Sequence, residues 1–369
     1  MKYKTFAKKL HTAMKIFKTN GIQGIISHSK SIIAGKRNLR VSKKMKTAWN
    51  DRHDFIISPV AFGISDSMFN KQRQFIFPQN IKFSILVPLY NTPETFLKEM
   101  IASVLNQTYG NWELCLADGS DGCHGYVEAL CRKISEKDKR IKYKHLENNN
   151  GISANTNECL KMASGDWISL FDHDDLLHPS ALYETMKAIC ENDVDFVYTD
   201  EAVFETPNLH KIIYAHFKPD FSMPILETNN FICHFTSFKK SLLETLNLFE
   251  SNCDGAQDFD LFLKLAERTS KIFHISKCLY YWRSSPTSSA SGNNAKPYTT
   301  NAGKLALQNH FNRLGINCVV YPADFPNTYN VKYTDSDEMN CFNMTDSFIN
   351  KNESVFPPRP VYFRNIPRD

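Results

Sequence analysis

The stretch Trp167-Ile168-Ser169-Leu170-Phe171-Asp172-His173-Asp174-Asp175 decides the fold. An apolar run of strand length ends abruptly in three carboxylates within four residues. Short apolar runs bounded by polar residues read as buried strands. Carboxylates this close repel one another unless a cation or a positively charged ligand neutralises them. Open α/β sheets bind their ligands at the carboxyl ends of their strands. One strand delivering acids at its end therefore directs attention to its neighbours.

The neighbours repeat the pattern. Upstream, Phe83–Val87 is an apolar run closed by Pro88. Thr92-Pro93 then reads as a helix cap followed by proline at the first helical position. Phe96, Met100, Ile101 and Val104 give that helix one apolar stripe. Trp112–Ala117 and Ile141–Leu146 read as the second and third strands, and Gly151 begins a helix to about Ala163. After the acidic turn Pro179 opens a helix to about Glu191, and Phe196–Thr199 is a fifth strand. Strands alternating with helices of this length predict an α/β fold of parallel βαβ units with helices on both faces.

The other strand ends carry Pro88-Leu89-Tyr90-Asn91, Asp118-Gly119-Ser120-Asp121 and Asn150-Gly151-Ile152-Ser153. Asp172 and Asp174 alternate with His173, so an extended backbone would point both acids the same way. Hard carboxylate oxygens suit Mg²⁺ or Mn²⁺, which take one or two carboxylates and complete their shell with phosphate oxygens and water. A calcium loop of the EF-hand type is excluded, because Leu177 and Tyr183 stand where it requires glycine and glutamate. A second acidic site, Asp254-Gly255-Ala256-Gln257-Asp258-Phe259-Asp260-Leu261, precedes a leucine-rich helix. There Asp258 reads either as a helix cap, worth about 1 kcal/mol, or as a general base. Spacing leaves both open.

Charge divides the 369 residues unevenly. The formal net charge is +5, yet residues 1–80 carry 16 basic and 3 acidic side chains, and the remainder is net −8. Phe6, Leu10, Met14 and Phe17 line one face of a helix, with Lys8, Lys9, Lys15 and Lys18 mostly off it. Such a basic amphipathic arm fits an anionic membrane surface, reached through residues 1–48. Packing of the same face on the body is the plainer alternative. Nucleic acid is not expected, because the aromatics sit on the apolar face and form no stacking platform. No apolar run is long enough to span a bilayer, and the N-terminus lacks the apolar core of a secretion signal. Ten cysteines without a C-x-x-C pair read as reduced thiols of a cytoplasmic protein.

The motif order V-P-L-Y-N, L-A-D-G-S-D-G, N-N-G-I-S-x-x-x-N, L-F-D-H-D-D, G-A-Q-D-F-D-L and Y-Y-W-R resembles family 2 glycosyltransferases of the GT-A fold. Within them it is most similar to bacterial enzymes of surface-polysaccharide synthesis, including rhamnosyltransferase-like members. The resemblance covers about residues 82–320. It implies a Rossmann-like, mostly parallel sheet and a metal-dependent, inverting transfer from a nucleotide-sugar donor to a glycan acceptor, commonly lipid-linked. Pro88, Tyr90 and Glu94 match the segment lining the nucleotide pocket, and Asp118 matches the aspartate at the base. Asn157 matches the asparagine on the helix after the third strand. Asp172 and Asp174 match the D-x-D pair, with Asp174 on the metal and Asp172 near ribose or metal. Asp258 matches the catalytic base, while Trp282 and Arg283 match the segment near acceptor and diphosphate. Tyr281 replaces a histidine common in the family, and no histidine follows Arg283 closely.

These readings divide the chain into a basic arm with helical character (1–79), a transferase domain (80–321) and a polar tail (322–369) in which Asn330–Tyr333 forms a short strand. The serine-rich stretch from Ser284 to Lys296 reads as a lid over the donor or as an ordinary surface loop. One active site is expected, on a protein working in the cytoplasm, peripheral at the inner face of the cytoplasmic membrane. Two other classes compete: an inactive sugar-nucleotide-binding module, and a phosphatase using Asp172 as nucleophile. The second requires a downstream lysine motif that the sequence lacks.

Overall fold

The computed structural model describes residues 64–205, 212–244, 246, 248–284 and 297–334. The amphipathic face read in the arm, the serine-rich stretch beyond Ser284 and most of the tail lie outside these residues. The first strands follow the expected alternation. They are β1 (Phe83–Leu89), β2 (Trp112–Asp118), β3 (Ile141–His145) and β4 (Trp167–Leu170). Helix α1 (Asp66–Gln74) precedes β1, and α2 (Glu94–Leu105), α3 (Tyr126–Lys137) and α4 (Ile152–Met162) form the crossovers. The pairs β2–β3, β1–β2 and β1–β4 are all parallel, so their carboxyl ends share one edge.

Side chains alternate across this sheet, as the strand period of two requires. Ile85, Val87, Leu114 and Leu116 pack on one face with Leu97, Met100 and Val104 of α2 and Val127 of α3. Leu86, Cys115 and Ala117 pack on the other with Cys159 and Leu160 of α4. Both faces are thus covered, which accounts for strands that are apolar at nearly every position. Cys115, Cys131, Cys159 and Cys253 are buried free thiols.

Two local expectations change. Pro93, not Thr92, stands at the cap of α2, and no side chain bonds its first turn. The buried Thr92 hydroxyl instead bonds His173 Nδ1 at 2.9 Å, tying the end of β1 to the acidic turn. The fifth strand is the larger correction. Following β5 (Leu176–Leu177) and α5 (Ala181–Glu191), β6 runs from Phe196 to Glu205 and is almost wholly buried. It does not join β4. After β7 (Ile212–His216) and α6 (Met223–Leu226), the short β8 (Thr236–Lys239) inserts between β4 and β6, antiparallel to both. Helix α7 (Gln257–Ala266) leads to β9 (Ile272–Ser284), which pairs parallel with β6 and antiparallel with β5. The sheet therefore runs β3-β2-β1-β4-β8-β6-β9-β5, with β7 on β6.

Helix α8 (Pro297–Arg313) packs on α7, and a hairpin of β10 (Cys318–Pro322) and β11 (Tyr329–Tyr333) follows. Val320, Tyr329 and Val331 join the core formed by α4, α7 and α8. The hairpin thus straddles residues 321 and 322 as one packed unit. Among the described residues no helix is long and apolar enough to cross a membrane.

Candidate active site

The carboxyl edge of β1, β2 and β4 is knit by its loops. Gly119 N–H donates to Leu89 O at 3.0 Å, and Asn91 N–H to Ser120 Oγ at 2.9 Å. Asn91 also exchanges side-chain bonds with Asp121, at 2.8 Å from its amide nitrogen and 3.0 Å to its oxygen. Pro88 is half-buried at the end of β1, and Tyr90 stands 47% exposed on the rim. Asp118 is fully buried, accepting from Tyr143 OH at 2.8 Å and Ser120 N–H at 2.9 Å. Glu94 lies further out, exposed, with Lys98 bonded to it at 2.5 Å. Asn157 is half-buried on α4. Its amide donates to Phe249 O at 2.8 Å and accepts from Phe249 N–H at 3.3 Å.

The three carboxylates after β4 have three different surroundings. Asp175 is buried, accepting from Tyr280 OH at 2.5 Å and from Arg283 N–H at 2.6 Å. Burial, with Asp174 and Asp172 adding like charge, raises its pKa well above the ordinary value. It is the anchor of the turn. Asp174 is half-buried, and its carboxylate makes no ion pair among the described residues. Asp172 is 39% exposed and has His234 Nε2 at 3.1 Å from Oδ2. Burial alone would raise the Asp172 pKa, but the His234 charge and hydrogen bond hold it below the ordinary value.

Arg283 lies inside. Only 1% exposed, its guanidinium pairs with Glu99 Oε2 at 2.7 Å and donates to the Asp174 carbonyl at 2.5 Å. It packs over the rings of Phe96 and Phe204. The structure thus makes it a brace beneath the acidic turn, where the resemblance put it near the diphosphate. Trp282 is half-buried, its ring centroid 5.6 Å from that of His234. Tyr281, standing where the family often has histidine, is fully buried.

The second acidic segment meets the first. Asp254 Oδ1 accepts from Ser153 N–H at 3.2 Å, so an acid before α7 satisfies an amide in the first turn of α4. Gly151, at φ +91°, leaves room for this: a Cβ there would stand 2.3 Å from Asp254 Oδ2. The cap position of α7 is Ala256, without a side-chain bond, so Asp258 stands inside the first turn and not at the cap. Asp258 accepts instead from Asn230 Nδ2 at 2.8 Å and from Phe259 N–H at 2.8 Å. Burial raises its pKa above the ordinary 3.8, with His234 opposing and Asp172 adding to the shift. Asp172, His234 and Asp258 therefore lie close enough to sense one another.

His234, Asn230 and Glu99 carry no motif signal and escape a reading by spacing. Each lies far along the chain from its partner, and only the packing of β8 and α2 brings them together. Among the described residues no group of three or more His, Cys, Asp and Glu side chains converges on a metal position. The fit is to an ion that takes one or two carboxylates and draws other ligands from phosphate and water.

Fold and site are those of an α/β protein that gathers carboxylates at the carboxyl edge of its sheet, with a further acid at a helix start beside them. A family model, that of glycosyl transferase family 2, matches residues 84–246. An uncharacterized protein of Sinorhizobium fredii, y4gI, is 39% identical over 239 residues, 62% of this chain and 25% of that protein. The O-antigen biosynthesis protein RfbC of Myxococcus xanthus is 31% identical over 252 residues, 68% of this chain and 19% of that protein. The chain thus spans a quarter or less of the length of these two relatives. It covers 72% of the putative glycosyltransferase EpsE of Bacillus subtilis, at 31% identity over 207 residues, 54% of this chain. The chain belongs to glycosyl transferase family 2.

Proposed function

We propose that the protein transfers a sugar from a nucleotide-sugar donor to a hydroxyl of a glycan acceptor, with inversion, in surface-polysaccharide synthesis. The observation that carries this reading is that Asp172 is bonded to His234 at 3.1 Å while Asp258, from a separate element, lies within electrostatic reach of both. The likeness to RfbC, named for O-antigen biosynthesis, supports the polysaccharide setting. Pro88 and Tyr90 line the donor's nucleoside side of the edge, with Asp118 buried behind them and reached by the base only when the donor binds. Asp174, with the free side of Asp172, holds a divalent cation, Mg²⁺ or Mn²⁺, which supplies charge neutralisation for the leaving diphosphate. Asp258 accepts the proton of the attacking hydroxyl, a role that typically contributes about 10²–10⁴-fold. Its raised pKa makes it a stronger base than an exposed aspartate. One base and no dedicated nucleophile fit a single displacement. Trp282 borders the acceptor side, and Arg283 holds the acidic turn from below.

A screen of UDP-, GDP- and dTDP-sugars for Mn²⁺-dependent turnover tests this reading. Asp174→Ala should abolish the Mn²⁺ dependence of nucleoside diphosphate binding. Equal binding by parent and variant, with and without Mn²⁺, would contradict the assignment.

The acceptor is proposed to be lipid-linked, at the inner face of the cytoplasmic membrane. Residues 1–48 hold 13 Lys and Arg and no carboxylate side chain. Each such residue near an anionic surface contributes about 1 kcal/mol. Removing residues 1–48 should abolish salt-sensitive binding to phosphatidylglycerol vesicles, and undiminished binding would sink the arm's role.

A further inference from the structure

One loop touches both halves of the proposed chemistry. It runs from Asn229 to Phe235, between α6 and β8. From it Asn230 Nδ2 donates to Asp258 Oδ2 at 2.8 Å, and four residues later His234 Nε2 meets Asp172 Oδ2 at 3.1 Å. The two carboxylates come from separate elements, the turn after β4 and the first turn of α7. These two side chains bridge them from a single short segment.

The loop's own backbone is fixed from beneath. Lys218 is buried with its ammonium donating to Ile232 O at 2.5 Å and to His234 O. The same ammonium pairs with the buried Glu201 Oε2 at 3.2 Å. Glu201 Oε2 in turn accepts from His234 N–H at 3.3 Å. The His234 ring stacks on Tyr280 at 4.7 Å between centroids, and the Tyr280 hydroxyl is the one that anchors Asp175. Cys233, between the two contacts, takes φ +31°. Residues with a Cβ are rarely held in such a region, and those that are cluster where surrounding structure over-determines a functional geometry. Asn230 helps hold this conformation, since its Oδ1 accepts from Cys233 N–H at 3.4 Å.

We propose that the 229–235 loop is a clamp that sets both carboxylates of the transfer reaction, with His234 the positioning residue for Asp172 and Asn230 the positioning residue for Asp258. The inference rests on the glycosyl-transfer reading and adds a division of labour to it. His234 acts on the donor side, through the acid nearest ribose and metal. Asn230 acts on proton acceptance, by fixing the oxygen of the base opposite the one that receives the proton. Lys218 and Glu201 hold the clamp rigid without reaching either carboxylate.

The division predicts a split in kinetics that a merely structural role would not produce. Asn230→Ala in the full chain should lower kcat about 10–100-fold, the factor associated with a hydrogen bond to a charged group. Its donor KM and its Mn²⁺-dependent binding of UDP, GDP or dTDP should stay at parent values, which also shows the variant folded. His234→Ala should raise donor KM and weaken the same binding about 10–100-fold, the usual result of removing a partner behind a metal-site carboxylate. His234→Gln, which retains an N–H, should recover most of that loss. Parent-like kinetics in both alanine variants would overturn the clamp. So would equal losses of kcat and KM in both, without recovery by glutamine. A parent protein that turns over no nucleotide sugar would instead overturn the functional reading. The clamp would then be judged by diphosphate binding alone, weakened in His234→Ala and unchanged in Asn230→Ala.

Discussion

The parallel half of the sheet and the mixed half each bury a carboxylate in an ion pair, and they use it differently. In the parallel half Glu113 is 1% exposed at the amino end of β2, away from the site. Lys82, Lys142 at 2.9 Å, Ser84 Oγ at 2.7 Å and Ser164 Oγ at 2.8 Å all converge on it. They join the starts of β1, β2 and β3 to the end of α4. In the mixed half Arg283 and Glu99 are equally buried, but the arginine also holds the Asp174 carbonyl and its own N–H holds Asp175. The first pair fastens the scaffold. The second fastens the turn that is proposed to do the chemistry. Equivalent damage to the two should therefore separate stability from activity.

Arg283→Met should have the largest effect. Removing one member of a buried pair costs about 3–5 kcal/mol, because the other charge is left unpaired. Denaturant unfolding should register that loss, and turnover should vanish with it as the acidic turn loosens. A variant that keeps parent turnover would break the distinction. Glu113→Gln should cost less, about 1–3 kcal/mol, and leave kcat and donor KM unchanged. An altered donor KM would show that the two halves are not separable in this way.

The pH dependence sharpens the same contrast. Burial by itself would raise the Glu113 pKa, but Lys82, the Ser164 amide, Lys142 and Ser84 together hold it well below the ordinary 4.5. The folded carboxyl binds its proton less readily than the unfolded one, so its stabilisation is complete above pH 4.5 and is lost as pH falls below it. The stability difference between parent and Glu113→Gln should shrink on acidification. A difference constant with pH would contradict the assignment.

The two halves also differ in how far the sequence reveals them. Strands β1 to β4 are local apolar runs separated by amphipathic helices, and their parallel order follows from that spacing. The acids at their ends, Asp118, Asp172 and Asp174, were legible for the same reason. Strand β8 is only Thr236–Lys239, with polar residues at both ends, and nothing local marks it as the strand that separates β4 from β6. Its insertion brings His234 to Asp172 and Asn230 to Asp258. Arg283 was visible as a motif residue, but its burial against Glu99 depends on contact across 184 positions of chain. Asp258 was left between cap and base because both begin a helix with an acid. In the structure Asp258 stands inside the first turn and is bonded to Asn230, a contact that spacing does not reveal.

On the proposed mechanism, donor binding and proton acceptance belong to different carboxylates of one site. Asp258→Asn tests it most directly, with turnover and Mn²⁺-dependent nucleoside diphosphate affinity measured on the same preparation. Turnover should fall about 10²–10⁴-fold with affinity unchanged. The parent's rate should fall on acidification through a pKa above 3.8, the direction in which burial moves Asp258. Affinity lost in step with turnover would contradict it, because Asp258 would then be part of the donor site.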